Sequence, residues 1–218
     1  MYEPPKTSTR RRGGGRHPAA VLQARERNLL DVAEQLFVRH SFHQVSIATI
    51  ATTVRVATKT IYLKFGGKRG LLHAVVARDL HDWNRQVAAI EASNTDVRER
   101  LEALAGLMLR RALSTQRALL HADAVSERSP ELAELVASVT ARDRQLLERL
   151  IAELQARAGG ATASGAVLSD AFVGCVLGRH IGAIVGGTGL PTDGEALARM
   201  AADSVAGFLE WILPAGSP

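Results

Sequence analysis

Apolar residues recur at helical spacing from Pro18 onward, and after residue 70 no strand-like alternation of useful length occurs, so the chain is confined to helix packed on helix. Leu29, Val32, Ala33, Leu36 and Phe37 fall at i, i+3, i+4, i+7 and i+8, one face of a helix that Pro18 opens and Ser41-Phe42-His43 ends. Leu72, Val75, Val76, Leu80, Trp83, Val87 and Ile90 predict a long helix that Ser93-Asn94-Thr95-Asp96 breaks while capping the next. That next helix carries Val97, Leu101, Leu104, Met108 and Ala112, and a shorter one is expected over 117–127. Ser129-Pro130-Glu131 is a strong start signal for a helix that ends at Gly159-Gly160. A loop of small residues to about Val167 and two last helices, over 168–187 and 193–213, complete an all-α reading of about nine helices.

Charge divides the chain. Residues 1–70 hold 13 lysines and arginines against 4 acidic residues, and the remainder is net acidic although the whole carries +5. A basic third on an acidic remainder suggests that one end meets a polyanion. Residues 1–17, with Pro4, Pro5, Gly13-Gly14-Gly15 and Arg10, Arg11, Arg12 and Arg16, read as a disordered basic arm. Such an arm attracts phosphates or enters an adjacent minor groove. No apolar run approaches the roughly 20 residues of a membrane span. No signal peptide is visible, and one cysteine, Cys175, excludes an intrachain disulfide and a cysteine-cluster metal site. The expectation is a cytoplasmic protein without cofactor or metal. Catalytic motifs are missing too, and His40-x-x-His43, the one close histidine pair, is incidental.

The informative segment is 46–65, SIATIATTVRVATKTIYLKF. Ser46 can cap a short helix with an inner side of Ile47, Ile50, Ala51 and Val54; Arg55-Val56-Ala57 interrupts it; Thr58 to Phe65 forms a second, with Ile61 and Phe65 inward. Two short helices behind a longer one make a helix-turn-helix unit, whose second helix fits the DNA major groove and reads base edges from its N-terminus. Thr58, Lys59 and Thr60 stand there, with Tyr62 and Lys64 placed for phosphates, and Ser46, Arg55 and Lys68 complete the candidate DNA-binding set. A cation at the helix start around Lys68 opposes the helix dipole, which a phosphate docked there would explain.

Residues Arg25 to Leu72 resemble the DNA-binding domain of the tetracycline-repressor (TetR) family of bacterial transcriptional regulators. The resemblance rests on Ala33, Phe37, Phe42, Ile50-Ala51, Thr60-Ile61-Tyr62, Phe65, Lys68 and Leu71-Leu72. Three positions depart from the family pattern. Arg55 and Ser41 stand where glycine is usual, and Ala57 where a serine-like cap is usual, so that Thr58 is expected to cap one residue later. The resemblance implies an 18–70 DNA-binding domain and a 71–218 ligand-binding and dimerisation domain. It also implies a homodimer, most simply a repressor, that binds a palindromic operator on double-stranded DNA and is released by a small hydrophobic effector.

Gly174, Gly178, Gly182 and Gly186 recur every four residues, a ridge that lets another backbone approach closely, like small-xxx-small contacts. Leu197, Met200, Ala201, Ser204, Val205, Phe208 and Ile212 offer a partner face. In the family the last two helices build the dimer, which makes Gly174, Gly178, Gly182, Val205, Phe208 and Ile212 the expected interface. Trp83, Met108, Arg111, His121, Cys175 and His180, on otherwise apolar helices, are candidate ligand-cavity residues. Two alternatives remain: a DNA-binding dimer without a small-molecule ligand, and a helical enzyme or carrier with a polyanion-binding basic end.

Overall fold

A computed structural model describes residues 19–113, 130–157, 163–180 and 193–212. All regular structure among them is helical. The α-helices are α1 (Ala19–Gln44), α2 (Ile47–Val54), α3 (Thr58–Phe65), α4 (Lys68–Glu91), α5 (Val97–Leu113), α6 (Pro130–Arg157), α7 (Gly165–Leu177) and α8 (Gly194–Ile212), and a 3-10 turn, Gly178–His180, follows α7. The arm 1–17, the expected 117–127 helix and the Gly-rich stretch 182–190 lie outside the described residues. The expected helix over 168–187 does not run straight through, because it tightens into the 3-10 turn at Gly178.

The departures at 41, 55 and 57 have visible backbone consequences. Ser41 sits at φ 57°, ψ 156°, inside α1, and kinks it, a conformation that only glycine adopts without strain. Ser46 caps α2, its Oγ accepting from Thr49 N at 3.0 Å. Arg55 ends that helix in the left-handed region at φ 57°, ψ 47°. Its N–H donates to Thr52 O, and Val56 N–H donates to Ala51 O: the paired bonds of a Schellman cap, with Val56 packed on the core. The turn therefore forms with arginine where glycine would be unstrained. Replacing Arg55 with glycine is expected to stabilise the protein by about 1 kcal/mol, a rise of roughly 2–4 °C in melting temperature. The same substitution should weaken DNA binding at low salt through the lost guanidinium, and calorimetry beside a salt titration separates the two effects. Thr58 does not act as the cap. It is the first helical residue, and Ala57 occupies the cap position without a side-chain hydrogen bond.

Helices α1 to α3 close around Leu29, Ala33, Phe37, Phe42, Ile50 and Ile61, and α4 lays Leu71, Leu72, Val75 and Val76 against them. Arg78 bolts α4 to α1, donating to Asp31 Oδ1 and Glu34 Oε2, each at 2.6 Å. Further along, α4 packs on α5 and α6, so a single rigid helix belongs to both halves of the molecule. Asp96 caps α5 by accepting from Arg98 N at 3.1 Å. That bond first, and the Arg157 guanidinium second, hold its carboxyl below the usual carboxylate range. Helices α5, α7 and α8 form the far end around Leu101, Phe172 and Phe208.

Candidate functional site

The surface of α3 divides cleanly. Ile61 is fully buried and Phe65 packs on the core, which turns positions 59 and 63, one turn apart, away from the protein. Lys59 is exposed and Leu63 is 78% exposed, with exposed Thr60 and Tyr62 on either side. A leucine this open on a short helix is unexplained by folding, but it suits a thymine methyl in a major groove. Leu63 was not among the expected contacts; its place one turn after Lys59 puts it on the same outward face.

The other candidate contacts divide by what already holds them. Thr58 and Arg55 are exposed. The Ser46 hydroxyl is engaged with Thr49. Lys64 forms an ion pair with Glu26 of α1 at 2.6 Å. The Lys68 ammonium donates to the carbonyls of Phe42 at 2.9 Å and His43 at 3.3 Å, and lies over the Phe42 ring, 4.4 Å from its centroid. The cation at the start of α4 is thus accounted for within the chain: it satisfies carbonyls at the end of α1, and no docked phosphate is needed to explain it. Lys68 locks α4 onto the helix-turn-helix unit.

Beyond this unit, α4, α5, α6 and α7 line an open-sided cavity of about 660 Å³. Its apolar wall includes Leu80, Leu104, Met108, Val136, Val139 and Leu147. Of the expected ligand residues, Trp83, Met108 and Arg111 line it; Cys175 and His180 do not, and His121 lies outside the described residues. Thr140, Asp143 and Ser169, which were not among the expected residues, line it too. A polar chain crosses the wall. Asp79 pairs with Arg111 at 3.3 Å, Arg111 lies 4.8 Å from the Trp83 ring centroid, and Trp83 Nε1 donates to Asp143 Oδ2 at 2.8 Å. Burial pushes the Asp143 carboxyl above the usual carboxylate range, against the opposing pull of Trp83, Arg111 and Arg142.

The expected dimer residues separate into two groups. Val205 and Phe208 are fully buried within the single chain and Ile212 nearly so. Phe208 meets Phe172 edge-on at 5.2 Å. These three serve the protomer's own core, because α8 turns its apolar stripe toward α5 and α7. Gly174 and Gly178 are exposed, with nothing within 4 Å of where a Cβ would stand; Gly182 is outside the described residues. Val167 and Trp211 are open on the same two helices, at 58% and 64% exposure.

A basic helix-turn-helix with its second helix turned outward, joined by a shared helix to a cavity-bearing bundle, supports a DNA-binding transcription regulator. Residues 29–75 match the family described as bacterial regulatory proteins, tetR family, so the likeness at the level of sequence lies in the helix-turn-helix domain. No curated protein matches the chain by sequence. Solved structures match its fold along nearly their whole length. A Mesorhizobium loti protein assigned to the TetR-family regulators has TM-score 0.68 and 18% identity, covering 88% of this chain and 98% of that one. A Saccharomonospora viridis protein assigned as a transcriptional regulator, in complex with choline, has TM-score 0.66 and 22% identity, covering 87% and 96%. The Bacillus subtilis regulator FadR, in complex with stearoyl-CoA, has TM-score 0.64 and 15% identity, covering 85% and 98%. No helix among the described residues is long and apolar enough to cross a membrane.

Proposed function

We propose that the protein is a cytoplasmic, homodimeric, ligand-responsive repressor. Residues 18–70 bind a palindromic operator, the basic arm 1–17 adds phosphate attraction, and 71–218 dimerise and take a small effector. The observation that carries this reading is the double membership of α4: Leu71 and Leu72 are buried beneath the reading unit, while Leu80 and Trp83 line the cavity. With Arg78 and Lys68 clamping α4 to α1, a shift of its cavity end moves the DNA-binding unit as a body. Two half-sites one turn apart require reading helices about 34–36 Å apart, so a displacement of a few ångströms breaks simultaneous contact. The choline and stearoyl-CoA complexes of similar folds support an effector role for the cavity. The exposed Gly174, Gly178, Val167 and Trp211 support α7 and α8 as the dimer surface.

Release then follows as a population shift. An effector with a hundredfold preference for the DNA-incompetent state supplies about 2.7 kcal/mol of coupling, and operator DNA must weaken effector binding by the same factor. Calorimetric titration of an effector, found by its rise in melting temperature, into free and operator-bound protein measures that factor. Equal affinities in the two titrations would remove release by ligand and leave the ligand-free DNA-binding dimer.

A further inference from the structure

We propose that the effector is an amphiphilic amine: a cationic head bearing N–H donors, held at Asp143, and an apolar body in the cavity. The inference rests on reading the cavity as the effector site. Among the described charges of the wall, Arg111 is paired with Asp79 and Arg144 with Asp170, the latter at 2.9 Å. Arg142, next in the chain, is paired with Glu91. Among the described residues Asp143 has one neutral donor, the Trp83 indole, at Oδ2, and its buried Oδ1 has no hydrogen-bond partner. A buried carboxylate oxygen in that state calls for a donor, and a cation serves it best. The carboxylate turns easily about its last bond, so Oδ1 can be presented to the cavity.

Among the described residues a second unsatisfied acceptor lines the cavity from the neighbouring helix α7. The Ser169 hydroxyl of α7 is 1% exposed, without a partner, and lines the same cavity. An ammonium has three donors, more than a single acceptor needs. A carboxylate head would meet Asp143 with like charge, and a quaternary ammonium would bring charge without the hydrogen bond. The remaining wall, of leucine, valine and methionine with Trp83 as its aromatic lining residue, suits a flexible aliphatic body. Because Asp143 holds Trp83, and Trp83 is part of α4, a head group at Asp143 acts directly on the helix that positions the DNA-binding unit.

Calorimetry with n-octylammonium, n-octyltrimethylammonium, n-octanol and octanoate, equal in their apolar chains, tests this on the full-length protein. The expected order places n-octylammonium first, with octanoate about tenfold weaker or more. Asp143→Asn, which keeps the shape and can still accept from Trp83, should weaken n-octylammonium about tenfold and leave n-octanol nearly unchanged. Octanoate or n-octanol binding as tightly as n-octylammonium would overturn the amine while leaving the cavity an effector site. Binding by none of the four would overturn the effector site itself, and the amine with it. The ranking on the unsubstituted protein decides the matter even if Asp143→Asn fails to fold.

Discussion

Adding one methyl group at Gly70 is expected to destabilise the protein by about 3 kcal/mol or more, a fall of roughly 6–12 °C in melting temperature, and to abolish DNA binding. A Cβ there would stand 1.7 Å from the carbonyl oxygen of Phe65, and 2.9 Å from its carbon. The obstacle is backbone, so no side chain can swing aside. Relief requires the end of α3 to move away from the start of α4, and α3 is the helix proposed to read DNA. The connection between them is already specialised, with Gly66 at φ 74° closing α3 on Tyr62 O, and Gly67 at φ 124°. Gly70→Ala measured by calorimetry and by DNA affinity should therefore lose both properties together. A variant of normal stability with normal affinity would mean that α3 does not dock on α4 at this distance.

The second large effect concerns Phe208. Phe208→Ala should cost about 3–5 kcal/mol, a fall of roughly 6–20 °C in melting temperature, because the ring is fully buried against Phe172 inside one protomer. Gly178→Leu should do the reverse: the position is open, so the protomer keeps its melting behaviour while the dimer is driven apart. Sedimentation and thermal unfolding of the two variants distinguish core from interface. If Phe208→Ala gave a monomer of undiminished stability, the stripe on α8 would be the partner face after all.

The contrast shows how far periodicity reaches. The apolar stripe of α8 was legible, because every third or fourth residue is hydrophobic. Which neighbour the stripe meets was not, because a stripe has the same spacing whether it covers the chain's own core or a second copy. Leu71, Leu72, Ile50 and Ile61 posed no such ambiguity, since a short helix-turn-helix has one interior to fill. The strained turn at Arg55 was legible from the missing glycine, and the backbone adopts the left-handed conformation that glycine would have eased. Lys68 was expected to face a phosphate; the partners it has here, the carbonyls of Phe42 and His43, are backbone atoms that no side-chain pattern reveals. Asp143 lies in Arg142-Asp143-Arg144, a run that reads as a solvated face; only the crossing of α4 over α6 buries the carboxylate against Trp83. Gly70 was unremarked for the same reason, because its closeness to Phe65 arises from the angle between two helices.

The central claim is that α3 reads DNA within a symmetric dimer. Selection of bound duplexes from random sequence, with the unsubstituted protein and with Lys59→Ala and Thr60→Ala, tests it most directly. The expected result is a two-fold symmetric motif with half-sites centred about 10 base pairs apart or a multiple of that, whose preferred bases change within each half-site in the two variants. No enriched motif, or one that both variants leave unchanged, would contradict it.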